Sequence, residues 1–288
     1  MLSYLPKRNP MDNNPLKQYF RQPAIFIQLP SQGKFYKDGA LVLTANGEYP
    51  VLPMTTLDEI TYRTPDALFN GTAVANVIES CVPNIRDAWA MPGMDVDTVL
   101  IAIRIATYGH TLDITTQCPA CAEEADYGVD LRTVLEKIGR PNYATPMNIG
   151  GMTIHFQPMS YRQINSNSMT QFTDQKTIQM LQDDTVEDGV KLAQMGEMLK
   201  NITAVTTNAL AQNIAMVEIP GTQVVSLEHI ADWLSNCDRG TYARVRDYII
   251  ENKQQGEIQP LDIKCSSCSN DYQQQFPLDM ANIFEAAS

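Results

Sequence analysis

Long apolar runs are missing from this 288-residue chain. No stretch reaches the roughly 18 uninterrupted apolar residues that a membrane-crossing helix needs. The segment from Met1 to Pro10 has no apolar h-region, so no secretory signal is expected. Basic side chains are in short supply: 21 Lys and Arg stand against 33 Asp and Glu, a net charge of −12. That deficit disfavours nucleic acid as a partner, because such binding rests on cations displacing counterions from phosphates. Histidine is scarce, and His110, His155 and His229 lie at spacings that suggest neither a metal site nor a triad. Also absent are the Gly-x-Ser-x-Gly elbow, the Walker loop, the dinucleotide fingerprint and the His-Glu-x-x-His helix. Together these absences weigh against an enzyme.

Cysteine is present, and it is patterned. Four of the six cysteines form two Cys-x-x-Cys pairs, Cys118/Cys121 and Cys265/Cys268. Their contexts match: Leu112-Asp113-Ile114 precedes the first, with Tyr127 and Leu131 after it, and Leu261-Asp262-Ile263 precedes the second, with Tyr272 and Leu278 after it. Each reads as a strand, a tight knuckle and a second short strand. Without a secretory signal, disulfides are not expected of these thiols. Two knuckles supply the four thiolates of a closed structural zinc site. An iron–sulfur cluster takes the same four ligands and stays open as an alternative. A thioredoxin-type pair needs a strand leading into a helix, which neither knuckle has. Zinc ribbons also occur in transcription and nucleic-acid adaptors, but Glu123, Glu124, Asp126 and Asp130 form an acidic rim that repels phosphate. Cys81 and Cys237 fall on apolar helical faces or beside Trp233 and read as small buried hydrophobes.

Hydrophobic residues make up 44% of the chain and charged ones 19%, enough for a substantial core. Residues 1–23 read as an extended arm carrying Lys7, Arg8, Lys17 and Arg21, either ordering on a partner or staying disordered. Residues 24–143 read as a β/α domain containing the first knuckle. Its expected strands are Ala24–Ile27, Leu41–Thr44 and Tyr49–Leu52, punctuated by Gly33, Gly39 and Gly47. Thr56 to Glu59 reads as a capping box. Thr64-Pro65 reads as the start of a helix carrying Leu68, Val74, Val77, Ile78 and Cys81. A further helix, apolar nearly all round, starts near Asp95 and is capped by Gly109, which places it in the core.

Residues 144–258 read as a hairpin plus a long helical insertion. Gly150-Gly151 turns the hairpin, Ser160 caps a Gln-rich helix, and Met195, Met198, Ile202, Val205, Ala209, Gln212 and Met216 recur at coiled-coil-like spacing. Ser226 opens one more helix, and a basic one runs from Arg239 through Lys253 to Gly256. Residues 259–288 carry the second knuckle and a tail packing on the first. The expected fold class is therefore α+β: a small N-terminal β/α region and a four-cysteine, zinc-ribbon-like core, with a long, mostly helical insertion.

Several stretches occur in a recognisable order. They are Leu29-Pro30-Ser31-Gln32-Gly33 with Tyr36, Leu52-Pro53-Met54-Thr55-Thr56 with Asp58-Glu59, Thr64-Pro65-Asp66-Ala67-Leu68, Arg104-Ile105-Ala106-Thr107-Tyr108-Gly109 and Cys118-Pro119-Ala120-Cys121. In this combination the chain resembles the baseplate hub assembly proteins of T-even-like contractile-tailed bacteriophages. The resemblance implies a non-enzymatic tail component whose partners are hub, spike or tape-measure proteins, with copies arranged in the tail's symmetry. It also implies assembly in the host cytoplasm and, if the protein is retained, a place in the virion baseplate.

Overall fold

The computed structural model of the chain describes residues 14–64, 70–181, 203–276 and 283–284. Strand β1 (Ile25–Gln28) pairs antiparallel with β2 (Glu48–Val51), Ile25 opposite Val51. Ile27, Tyr49 and Val51 turn inward while Phe26 faces out. The strand expected at Leu41–Thr44 does not form. Leu41 alone bridges to Ile85, Val42 N donates to Asn84 O, and Leu43 is 68% exposed. With a loop rather than a strand beside it, the segment has no ladder to join.

Helix α1 (Thr56–Tyr62) is capped one residue earlier than expected. Thr55 Oγ1 accepts from Asp58 N, and Asp58 Oδ2 accepts from Thr55 N at 2.8 Å. Glu59, expected to close the box, instead accepts from the Tyr108 hydroxyl at 3.0 Å. Helix α2 (Thr72–Cys81) begins after Gly71, and the expected start at Thr64-Pro65 runs into residues 65–69, outside the described ones. Gly71 has φ +77°, and a Cβ there would meet Asn165 Oδ1 at 2.6 Å, so only glycine fits this corner. Helix α3 (Gly93–Tyr108) is the core helix expected: Val96, Val99, Leu100, Ile101 and Ile103 are all buried, and Gly109 ends it at φ +90°.

Helix α4 is Leu131–Lys137. Strands β3 (Thr111–Gln117) and β4 (Glu124–Asp130) precede it and carry the first knuckle between them. The Gly150-Gly151 hairpin forms as read: β5 (Met147–Ile149) and β6 (Met152–Phe156) meet across a turn with φ +56° and +81°. Ser160 caps α5 (Tyr161–Leu181) together with Gln163. The coiled-coil-like seam is only partly described, since Met195, Met198 and Ile202 lie outside the described residues. Residues 203–212 are helical (α6) and include Val205, Ala209 and Gln212. Met216, however, lies on β7 (Ile214–Ile219), opposite His155. With β8 (Thr222–Val224), β7 completes a four-stranded sheet in the order β5-β6-β7-β8, in a region expected to be mostly helical. Helices α7 (Leu227–Asn236, capped by Ser226) and α8 (Arg239–Gly256) follow as read.

Buried apolar residues form two clusters. One joins β1, β2, α2 and α3 to Tyr161, Phe276, Ile283 and Phe284, and the other joins the four-stranded sheet to Ile230 and Leu234 of α7 and Val245 and Ile249 of α8. Both are α+β layers, with helices covering sheet faces.

A polar lock runs through the first cluster. Asp95 is fully buried and accepts from Ser31 N at 2.8 Å, from Ser31 Oγ at 2.5 Å and from the Tyr36 hydroxyl at 3.0 Å. Burial outweighs these bonds and pushes its pKa up to about 6. Because that value exceeds the unfolded one, Asp95 adds stability that is complete below about pH 4 and lost as pH rises through 6. The loss is on the order of 3 kcal/mol. We expect Asp95→Asn to lack this component, measured as the difference between the two proteins' denaturant midpoints across pH 4 to 7. The difference also separates Asp95 from Asp97, which burial, and then the neighbouring Glu257, likewise pushes up to about 6.

Candidate metal centre

Each knuckle is built by the same local hydrogen bonds. In the first, Cys118 N donates to Glu123 O at 2.9 Å and Ala122 N to Cys118 O at 2.9 Å. The second lies between β9 (Leu261–Lys264) and β10 (Asp271–Gln274), where Cys265 N donates to Asn270 O at 2.9 Å and Ser269 N to Cys265 O at 3.0 Å. The residue after each second cysteine takes a left-handed backbone, Ala122 at φ +58° and Ser269 at φ +59°. A side chain there costs roughly 1 kcal/mol, and the shared turn is held against that cost in both copies. The small residue after each second cysteine is the sequence signal for this turn, and it lies outside the Cys-x-x-Cys pattern itself.

The two turns face each other. Cys118 Sγ lies 3.7 Å from Cys268 Sγ, and Cys121 Sγ lies 3.7 Å from Cys265 Sγ. All four sulfurs fall within 4.8 Å of one another. A disulfide would bring a pair to about 2.05 Å, so these are four thiols. A tetrahedron of sulfurs around one ion at about 2.3 Å has edges of about 3.8 Å, which the spacing matches. The donor set therefore fits a single thiophilic cation. The expected quartet is brought together as a whole, and among the described residues His110, His155 and His229 join no such cluster. Cys118 and Cys265 are buried, Cys121 and Cys268 exposed. Away from the sulfurs, Thr116 Oγ1 on β3 donates to Gln274 Oε1 on β10 at 2.8 Å and ties the hairpins together. In the acidic rim, Asp130 is held by Arg132 at 2.6 Å, while Glu123, Glu124 and Asp126 have no ion-pair partner among the described residues.

The thiols divide into two kinds. Burial raises the pKa of Cys118, but the N–H groups of Cys121 and Ala120 overcome it and bring the thiol down to about 6. The N–H groups of Cys268 and Ser267 lower Cys265. Cys121, although the N–H of Glu123 pulls it down, is pushed up to about 12 by the other thiols, and Cys268 is raised too. An ion binding near pH 7 thus meets a largely ionised Cys118 and a Cys265 that ionises more easily than a free thiol, and must displace at least about two protons, those of Cys121 and Cys268. The expected outcome is proton release of that size on zinc addition, read by titration calorimetry in buffers of different ionisation heat. As pH falls through 6 the Cys118 thiol also protonates, so affinity should drop more steeply below that point. Cys118→Ser should lose the ion and loosen both hairpins, seen as a lower unfolding temperature and faster amide exchange at 111–130 and 261–274.

Cys81 and Cys237 take no part. Cys81, the last residue of α2, is fully buried, which pushes its thiol up to about 12, and Cys237 caps the end of α7. A family model described as T4 bacteriophage base plate protein matches residues 43–285, a stretch that includes both knuckles. No curated protein and no solved structure matches the chain.

Proposed function

The chain belongs to the T4 bacteriophage base plate protein family, and from that premise we propose that it works at the central hub of a contractile-tail baseplate, as a non-catalytic part closed by one structural zinc. Membership in the family supports a structural or assembly role among other phage tail proteins. The hub placement draws on the ordered motifs at residues 29–36, 52–59 and 104–109. The side chains of these motifs are spent on holding the fold. Ser31 and Tyr36 bond Asp95, Thr107 Oγ1 accepts from Met54 N at 2.9 Å, Tyr108 bonds Glu59, and Arg104 lies 4.8 Å over the Tyr108 ring. Residues consumed this way are scaffolding rather than reactive groups.

The observation that carries the zinc assignment is the spacing of the four sulfurs. Zinc filled by four thiolates keeps no position for water or substrate, so it stabilises and does not catalyse. A cluster of several irons sets its thiolates on different metal atoms and needs them further apart. Hub, spike and tape-measure proteins are the partners this placement requires. Assembly would take place in the host cytoplasm, followed by a position in the virion tail if the protein is retained.

Two measurements test the reading separately. Elemental analysis of the purified chain should find one zinc per chain and no acid-labile sulfide; a content well below one, or stoichiometric sulfide, overturns the metal assignment. A tail reconstruction carrying a labelled copy should place the label on the tail axis at the baseplate. Density confined to the baseplate periphery rules out the hub.

A further inference from the structure

We propose that the groove along the open edge of β1 receives an extended segment of another protein, in which acidic residues alternate with aliphatic ones, and that this segment adds to β1 as a third strand. The proposal goes beyond the hub placement and does not depend on the metal.

Among the described residues the sheet of β1 and β2 has two strands, so β1 has one edge without a strand partner there. Pro50 shows which groups of β1 face that edge. Phe26 is opposite Pro50 in the ladder, and proline has no N–H to donate. The Phe26/Pro50 pair is therefore a non-hydrogen-bonded one, in which the N–H and C=O point away from the partner strand. The Phe26 N–H and C=O are thus directed to the free edge, and no hydrogen bond among the described residues claims them. Unpaired strand edges of this kind are templates for strand addition.

The edge opens into a groove of about 900 Å³ with Ile25, Ile27, Ile105, Leu135 and Ile138 among its walls. Thr98, 4% exposed, also lines it, and the Thr98 hydroxyl has no hydrogen-bond partner among the described residues. A smaller pocket of about 230 Å³ shares Pro30 and Arg140 with the groove and extends it to Lys34 and Phe35. Phe35 is held there at φ +68°, edge-on to the Tyr143 ring at 5.7 Å.

Charge selects the occupant. The chain carries −12 overall, yet Arg132, Arg140 and Lys34 border this surface against one carboxylate, Glu136. Arg132 is already paired with Asp130, whereas the Arg140 guanidinium rests on the neutral Gln28 amide at 2.8 Å. A cation so placed complements a carboxylate from outside. Side chains of an added strand alternate, so the apolar wall takes every second one and the carboxylates lie between. A second copy pairing through its own β1 fits less well, since Ile25–Gln28 brings no carboxylate to Arg140.

The probe is a labelled, acetylated Asp-Val-Asp-Ile-Asp-Val peptide, compared with the version carrying Lys for Asp, on the full-length chain. The acidic peptide should bind at least about tenfold more tightly, and Arg140→Glu should abolish that preference. Phe26→Pro removes the outward N–H without touching the bonds to β2 and should cost about tenfold, while Phe26→Ala, which keeps the N–H, should cost no more than about threefold. On binding, the Phe26 amide should become protected from exchange. Arg140 is exposed, so its variant reads out charge even if Phe26→Pro disturbs the fold. Equal binding of the two peptides, no binding, or equal losses in the two Phe26 variants overturns the proposal. So does a dimer in sedimentation that Phe26→Pro dissociates, which would assign the edge to a second copy.

Discussion

The meeting of two hairpins at four sulfurs is the constraint from which the rest of the molecule follows. Cys118 and Cys268 are 150 positions apart, and everything between them is a loop closed by that junction. Closing a loop of this length removes chain entropy worth roughly 5 kcal/mol from the unfolded state, if a metal staple is treated like a cross-link. That is comparable with the whole net stability of a typical domain. It is also spent locally, because the knuckles bury little else. Ile114 and Ile263 are buried on the two hairpins, but neither belongs to the large apolar clusters. The junction therefore substitutes for a core at the place where the chain has least of one.

Around that junction the fold relies on buried polar ties between segments that are distant in sequence. Asp95 anchors the turn at Ser31, Met54 N donates to Thr107, and Glu59 meets Tyr108. Arg21, expected from sequence in an extended arm that orders on a partner or stays disordered, is one more tie. Its guanidinium bonds Pro53 O at 2.6 Å, Asp58 at 3.1 Å and Ser80 O at 2.7 Å. Glu59–Tyr108 joins two helices; each of the other ties couples a loop to a helix end, and a loop fixed at such points presents its exposed side chains at defined positions. This suits a part whose work is to be gripped by neighbours.

How much was legible in the residues depended on range. The knuckles were readable because their chemistry is written within four positions, and the Gly150-Gly151 turn because positive φ has few residue choices. The Thr55 cap was missed by one position, since Thr55 and Thr56 both offer a hydroxyl and only the helix's first hydrogen bond decides between them. Leu41–Thr44 looked like a strand because β propensity does not report whether a partner lies alongside. Met216 was assigned to a helix because apolar spacings of three and four continue across Asn213, where the chain turns into β7. The locks on Asp95 and Arg21 join positions 64 and 37 apart, and no local pattern marks them.

The first apolar cluster has a consequence for how the molecule is made. It takes Ile27 and Tyr49 from one end of the chain and Phe276, Ile283 and Phe284 from the other, with Phe284 4.6 Å edge-on to Tyr62. Among the described residues the second cluster draws on nothing before Tyr143 or after Ile249. On a ribosome the second can close while translation continues, but the first must wait until Phe276, Ile283 and Phe284 have emerged. During that interval the inner faces of α2 and α3 stay open to water, which gives a chaperone or an assembling neighbour its period of access.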